Sequence, residues 1–102
     1  MPGRQIMKMF FIIYSTDIDR QILITLKQAG CKNYTQLEKV VGVGDSGAKL
    51  GTAIGPGTNK VVIILVEDAQ VEDLCIRLEN LKRSFLKKQG LKVIVMPVER
   101  II

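Results

Sequence analysis

The sequence has 102 residues, a length that corresponds to one domain with a single hydrophobic core. Apolar residues make up 47% of the chain and aromatic residues only 5%, so the core must be built mainly from isoleucine, valine and leucine. Histidine is absent, which excludes the usual imidazole base and the commonest metal ligand. The net charge of +5 is mostly dispersed, and this argues against a dedicated nucleic-acid binder.

The cysteines and the ends of the chain give no sign of secretion or membrane insertion. Cys31 and Cys75 are too few and too far apart for a disulfide framework or a CxxC metal site, so we expect two buried small hydrophobic residues. The sequence shows neither a signal-peptide pattern nor an apolar run of membrane-spanning length. We therefore expect a cytoplasmic protein in which residues 1–6 form a flexible leader.

The first half of the chain predicts the order strand, helix, strand. The run MKMFFIIY at 7–14 is almost continuously apolar, which is typical of a strand buried on both faces. Residues 15–30 begin with three capping residues, carry an apolar stripe and end on Gly30, which predicts an amphipathic helix of about three turns. The stretch NYTQLEKVVGVG at 33–44 favours an exposed or half-buried strand.

The second half repeats this order. KVVIILVE at 60–67 is the strongest strand signal in the chain. Residues 68–90 predict a long helix, because acidic residues stand in its first turns, basic residues stand near its end, and Gly90 follows as a stop. LKVIVMPVERII at 91–102 predicts a last strand.

The order βαββαβ predicts an α+β, ferredoxin-like fold in residues 7–102, with both helices on one face of a four-stranded antiparallel sheet. Strands 7–14 and 60–67 are apolar on both sides, whereas two helices can cover only one side. The other face must meet an apolar surface, so we expect an oligomer.

The glycine-rich stretch at 42–59 raises the question of a nucleotide-binding turn. Residues 42–47 spell G-x-G-x-x-G, but the glycines and proline that follow leave no room for the helix that this fingerprint needs. A P-loop fails as well, since Ala48 stands where its lysine should be. What remains is a long loop, a common location for function. Leu50 and Ile54 favour a segment that becomes ordered against a partner, and the alternative is a hairpin end without a role.

Several features together resemble the PII superfamily of trimeric signalling proteins. EKVVGVG at 38–44 is similar to the way the second strand of that family ends, and VIVMPVE at 93–99 is similar to its terminal strand. The resemblance extends from about residue 7 to residue 102.

This resemblance implies a homotrimer with small-effector clefts between its subunits. It implies that residues 42–59 form the so-called T-loop, which docks on a partner protein such as a membrane transporter. The effector would be anionic, with ADP, ATP or AMP as the candidates. The residues expected to bind the effector are Gly42, Val43, Gly44, Lys60, Lys88 and Arg100. The residues expected to contact the partner are Asp45, Lys49, Leu50 and Ile54.

The chain also departs from the typical PII pattern. The stretch SFLKKQGLK at 84–92 has one glycine where typical members carry a glycine-rich phosphate-binding loop, and Arg100 stands alone where they carry an R-x-R pair. The loop at 42–59 contains no tyrosine, so the uridylylation switch of the family cannot operate. The resemblance therefore implies a divergent member.

Other functions compete with this interpretation. A different ferredoxin-like sensor, similar to the CutA family or to amino-acid-binding domains, would act without nucleotide. An acylphosphatase-like enzyme would need a phosphate loop near the first strand, and RNA recognition would need exposed aromatic residues on the sheet; neither pattern is found. We expect Asp17 and Asp19 to favour the start of the first helix rather than to bind a metal ion.

Overall fold

A computed structural model of the protein describes residues 6–41, 43–44, 47–48 and 58–102. Within these ranges, six strands and two α-helices follow one another along the chain. They are β1 (Met7–Ser15), α1 (Asp19–Gln28), β2 (Thr35–Val40), β3 (Val43–Gly44), β4 (Gly47–Ala48), β5 (Asn59–Glu67), α2 (Asp68–Ser84) and β6 (Leu91–Pro97), with a 3₁₀ turn (Thr16–Ile18) before α1.

Four of these strands form one antiparallel sheet in the order β2-β5-β1-β6. The two longest apolar strands, β1 and β5, therefore pair in the centre, in register from Met7 opposite Glu67 to Ser15 opposite Asn59. This is the strand order of a ferredoxin-like fold and confirms the predicted βαββαβ arrangement.

Both helices lie on one face of the sheet. Alternate residues of β1 and β5 point to that face and are fully buried, because side chains along a strand alternate in direction. They form one core with the apolar stripes of the two helices. The central members of this core are Phe10, Ile12, Tyr14, Ile22, Leu26, Val62, Ile64, Leu74 and Leu78.

The opposite side of the sheet, here called the open face, is also apolar. In the described part of the chain no helix covers it, and Leu37, Leu65 and Ile94 are 46%, 43% and 39% exposed. The strand register places the following residues on this face: Met9, Phe11, Ile13, Leu37, Val61, Ile63, Leu65, Ile94 and Met96. Apolar patterning on both sides of the central strands is thus confirmed.

The end of α1 follows the prediction. Gly30 has a φ of 81°, and its N–H bonds to the carbonyl of Lys27 while the N–H of Cys31 bonds to that of Leu26. This pair of hydrogen bonds is a Schellman motif, in which a left-handed residue closes the helix.

The predicted end of α2 is wrong. The helix ends at Ser84 rather than at Gly90. The backbone adopts an extended conformation at Phe85, and the ring of Phe85 packs against the core. Lys87 and Lys88 consequently lie in the connection to β6 and not on the last turn of the helix.

The two thiols occupy half-buried positions beside the core, close to the prediction. Burial is the main cause that raises the pKa of both Cys31 and Cys75, and nearby carboxylates add to it. Both side chains therefore remain protonated at neutral pH.

Candidate functional site

The predicted site residues occupy two different ends of the sheet. Lys60 is the second residue of β5 and lies opposite Tyr14, which in turn lies opposite Leu91 of β6. The N–H of Ser15 bonds to the carbonyl of Gly90 at 2.9 Å, so the connection that carries Lys88 reaches the same end. We call this the loop end of the sheet, defined by Tyr14, Lys60 and Leu91.

Arg100 lies at the other end. Pro97 pairs with Lys8, which lies six residues along β1 from Tyr14. The N–H of Val98 donates to the carbonyl of Met7. Six residues of strand span about 20 Å. The strand that leads to Arg100 therefore ends far from Lys60.

Other predicted site residues fall in the stretch between β2 and β5. Val43 and Gly44 form β3, which pairs with β4 through Val43 opposite Ala48 and Gly44 opposite Gly47. Part of the predicted loop at 42–59 is thus a short β-ladder. The remaining predicted residues lie outside the described part of the chain: Gly42, Asp45, Lys49, Leu50 and Ile54.

A buried tyrosine organises the loop end. The Tyr14 hydroxyl donates to Asp19 Oδ1 at 2.6 Å, and Gln36 Nε2 donates both to the Tyr14 oxygen and to Asp19 Oδ1 at 2.8 Å. Burial raises the pKa of Tyr14 above its ordinary value, and the hydrogen bond to Asp19 raises it further. The three side chains tie the start of α1 to β1 and β2.

Lys60 is held by two carboxylates. Its Nζ lies 3.1 Å from Asp19 Oδ2 and 3.4 Å from Glu38 Oε1, and its side chain is 16% exposed. Burial of the Asp19 carboxyl opposes ionisation, but hydrogen bonds from Tyr14 and Lys60 outweigh it and lower the pKa of Asp19. The hydrogen bond to Asp19 in turn raises the pKa of Lys60. Asp19 and Lys60 are therefore both charged at neutral pH.

A β-bulge in β2 begins beside this cluster. β2 and β5 pair regularly from Thr35 to Leu37, and the register then shifts so that Val40 faces Asn59. Two residues of β2 thus oppose Lys60 alone, and the second of them, Lys39, has a φ of 57°. An extra residue with left-handed backbone is typical of a β-bulge, and Glu38 keeps the position opposite Lys60 that the regular register up to Leu37 sets.

A second set of hydrogen bonds holds the residue that precedes β5. Thr16 binds Thr58 three times, since its N–H and its hydroxyl donate to the Thr58 carbonyl at 3.0 and 2.8 Å and the two hydroxyls lie 2.8 Å apart. Thr58 directly precedes β5, so the C-terminal side of the stretch between β2 and β5 is pinned to the start of the 3₁₀ turn.

Lys60 was predicted from the sequence as a site residue, but its neighbours Tyr14, Gln36 and Glu38 were not. Asp19 was correctly expected at the start of the first helix, and in the structure it is the first residue of α1. One signal could have revealed more: Tyr14 stands in a buried strand, and a buried tyrosine hydroxyl needs a partner. Gln36 and Glu38 gave no such signal, because their roles depend on the register between β2 and β5.

The arrangement at the loop end is a charged cluster joined to a hydrogen-bond network. Among the described residues no group of three potential metal ligands comes together. Two carboxylates surround one ammonium, so the cluster carries a net charge of −1. An open groove of about 290 Å³ between α2 and β6 is lined mainly by apolar side chains, including Leu78 and Val93, and it has few convergent polar groups.

Comparisons with solved structures agree with the fold class, a ferredoxin-like domain of the PII type. CPII, a nitrogen regulatory PII-like protein from Thiomonas intermedia K12 solved with ADP, AMP and bicarbonate, matches with a TM-score of 0.69 and 22% identity, over 91% of this chain and 92% of that one. A PII-like signalling protein from Thermus thermophilus matches with a TM-score of 0.65 and 16% identity, over 92% and 88%. A DUF3240 family protein from Shewanella baltica OS155 matches with a TM-score of 0.71 and 16% identity, over 93% and 92%.

The sequence agrees with this result. The family profile described as "Nitrogen regulatory protein P-II" matches residues 7–102, and the chain therefore belongs to that family. No significantly similar sequence was found among curated proteins. In the described ranges, no helix combines the length and the hydropathy that a membrane crossing requires.

Proposed function

We propose that this protein is a PII-like regulator that binds a small anionic effector, an adenine nucleotide, at the loop end of the sheet. One observation carries the proposal: Lys60, both sides of the stretch 42–57 and the connection after α2 converge at that end. The complex of CPII with ADP and AMP supports the choice of ligand, since that protein has the same fold.

The effector would lie in a cleft between subunits. The open face is apolar and partly exposed in one chain, and a face of this kind is typically covered by another subunit. Pro97, three residues before Arg100, lies about 20 Å along the sheet from the position of Lys60, so Arg100 would contribute to the site from a neighbouring subunit. A homotrimer, the assembly that the PII resemblance implies, would satisfy both conditions.

The regulatory output would be the fit of the stretch 42–59 to a partner protein, for which a membrane transporter is the candidate. Bound effector would act through its different affinity for two arrangements of this stretch. The proposed role is regulatory rather than enzymatic, because the groups at the loop end neutralise one another instead of pairing a nucleophile with a base.

Thermal melts with ATP, ADP, AMP and cyclic AMP test this function, preceded by sedimentation equilibrium on the same sample. A ligand that binds only the native state raises the melting temperature. At a concentration one hundred times its dissociation constant, it stabilises the native state by about 2.7 kcal/mol. We expect a trimer stabilised by at least one of the four nucleotides, and Lys60→Gln should reduce that shift. A trimer indifferent to all four would refute the nucleotide function, and a monomer would refute the intersubunit site.

A further inference from the structure

Lys60 is the best-placed cation for an anionic effector, yet it is already neutralised. Asp19 and Glu38 lie 3.1 and 3.4 Å from its ammonium group, and only 16% of the lysine side chain is exposed. An anion that approaches this cluster meets a net charge of −1 and is repelled. An anion can therefore use Lys60 only if at least one carboxylate gives it up.

The structure makes this exchange possible without leaving a buried group unpaired. Asp19 keeps its hydrogen bonds from Tyr14 and Gln36 on Oδ1 when Lys60 leaves Oδ2, and its side chain is 24% exposed, so water can take the place of the lysine. Glu38 has a side chain that is 61% exposed and can turn to water. A buried polar group without a partner would make such an exchange costly, and neither carboxylate becomes one.

The same exchange changes how the strands beside the stretch 42–57 are joined. Glu38 belongs to the bulge of β2, and Lys60 is the second residue of β5. Their ion pair crosses between the two strands that enter and leave this stretch. An anion that takes Lys60 removes that cross-strand contact.

We propose that Asp19 and Glu38 are internal competitors of the anionic effector for Lys60, and that their displacement links effector binding to the stretch 42–57. The inference rests on the proposed function and adds a selectivity rule to it. A group that replaces two carboxylates at one ammonium must itself concentrate more than one negative charge. The site therefore favours a phosphate chain over a singly charged anion such as acetate.

Calorimetric titration of four variants with ADP, tripolyphosphate and acetate tests this inference. Asp19→Asn keeps the size of the side chain and an oxygen for Tyr14 and Gln36, but it releases Lys60. Asp17→Asn is the matched control, because Asp17 is exposed, lies two residues away and changes the net charge equally. Glu38→Gln is the second test and does not touch the buried network, and Lys60→Gln removes the contested cation.

We expect Asp19→Asn to bind ADP or tripolyphosphate about six-fold more tightly than the natural protein, the factor that one unit charge about 4 Å away is worth in water. Glu38→Gln should tighten binding less, Asp17→Asn should stay within about two-fold, and Lys60→Gln should weaken it. Acetate should bind none of them measurably. The inference is overturned if Asp19→Asn and Glu38→Gln both bind like Asp17→Asn or more weakly.

The two proposals fail differently in this experiment. If the natural protein binds ADP and the Asp19 and Glu38 variants do not differ from the control, the competition is refuted and the nucleotide function stands. If no form binds ADP but Asp19→Asn binds tripolyphosphate more tightly than the natural protein does, the competition stands and the nucleotide function is refuted. Absence of binding by every probe overturns both.

Discussion

At the scale of single residues, Tyr14 shows how a core position becomes part of a polar site. Its ring is buried among the apolar residues of the core, and its hydroxyl reaches Asp19 and Gln36 at the edge. One side chain therefore serves packing and polar connection together.

We expect Tyr14→Phe to lower the free energy of unfolding by about 2 kcal/mol, because it removes a hydrogen bond to a charged acceptor while the ring still fills its place. Urea unfolding followed by circular dichroism measures this change. Tyr34→Phe is the matched control at a 41% exposed tyrosine and should cost less than about 0.5 kcal/mol. Equal effects of the two substitutions would show that the Tyr14 network contributes no stability.

The lowered pKa of the Asp19 carboxyl predicts that the free energy of unfolding falls as the pH is lowered. Its pKa is lower in the folded protein than in the unfolded chain, so its stabilising contribution is present above the unfolded value near 4 and is lost as the pH falls through the folded value. The difference in unfolding free energy between the natural protein and Asp19→Asn should therefore be largest near pH 6 and shrink towards pH 3. Urea titrations across this range test it, and a difference that grows on acidification would contradict it.

At the scale of secondary-structure elements, two residues with left-handed backbone mark functionally different places. Gly30 closes α1, and a glycine is the residue that adopts this conformation without strain. Lys39 adopts it in the bulge of β2 although it carries a Cβ atom. Lys39 directly follows Glu38, which pairs with Lys60, so the left-handed position lies next to the site.

We expect Gly30→Ala to destabilise the protein by about 1 kcal/mol, the cost of a left-handed non-glycine residue. Nothing lies within 4 Å of a Cβ atom built at this position, so the cost comes from the backbone alone. Lys39→Gly should instead leave the melting temperature unchanged or slightly raised, since it relieves the same strain. Thermal melts compare the two, and a stable Gly30→Ala protein would refute the Schellman assignment.

The helices and central strands could be predicted from sequence because their signals are local. The continuous apolar runs gave β1 and β5, and the 3.6-residue stripe ending at Gly30 gave α1. The end of α2 could not be found in this way, since Phe85 leaves the helix to pack its ring on the core, and that contact is tertiary. The bulge at Glu38 and the pairing of Tyr14 with Lys60 likewise depend on the register between strands.

At the scale of the whole molecule, the sheet has one face covered by helices and one face that is open. Ferredoxin-like order alone does not require an apolar open face, because antiparallel sheets commonly expose a polar side to water. In this chain both alternating sets of β1 and β5 are apolar, which is the strongest argument in the sequence for assembly.

We expect Leu65→Lys to break the proposed assembly, because it places a charge in the middle of the open face, where the natural side chain is 43% exposed in one chain. Ile76→Lys is the matched control on α2, with a natural side chain that is 47% exposed. Sedimentation equilibrium should show a smaller species for Leu65→Lys and an unchanged one for Ile76→Lys. Retention of the assembly by Leu65→Lys would move the subunit interface away from this face.

The partial burial of the two native thiols has a practical consequence for labelling the protein with a spectroscopic probe. Cys31 and Cys75 are half-buried and their pKa values are raised, so we expect both to react slowly with maleimides at neutral pH. A third cysteine introduced within 42–59 would then accept a fluorophore or spin label selectively, with no need to replace the natural pair. Brief labelling of an otherwise unaltered chain would thus report directly on this stretch as ligands are added.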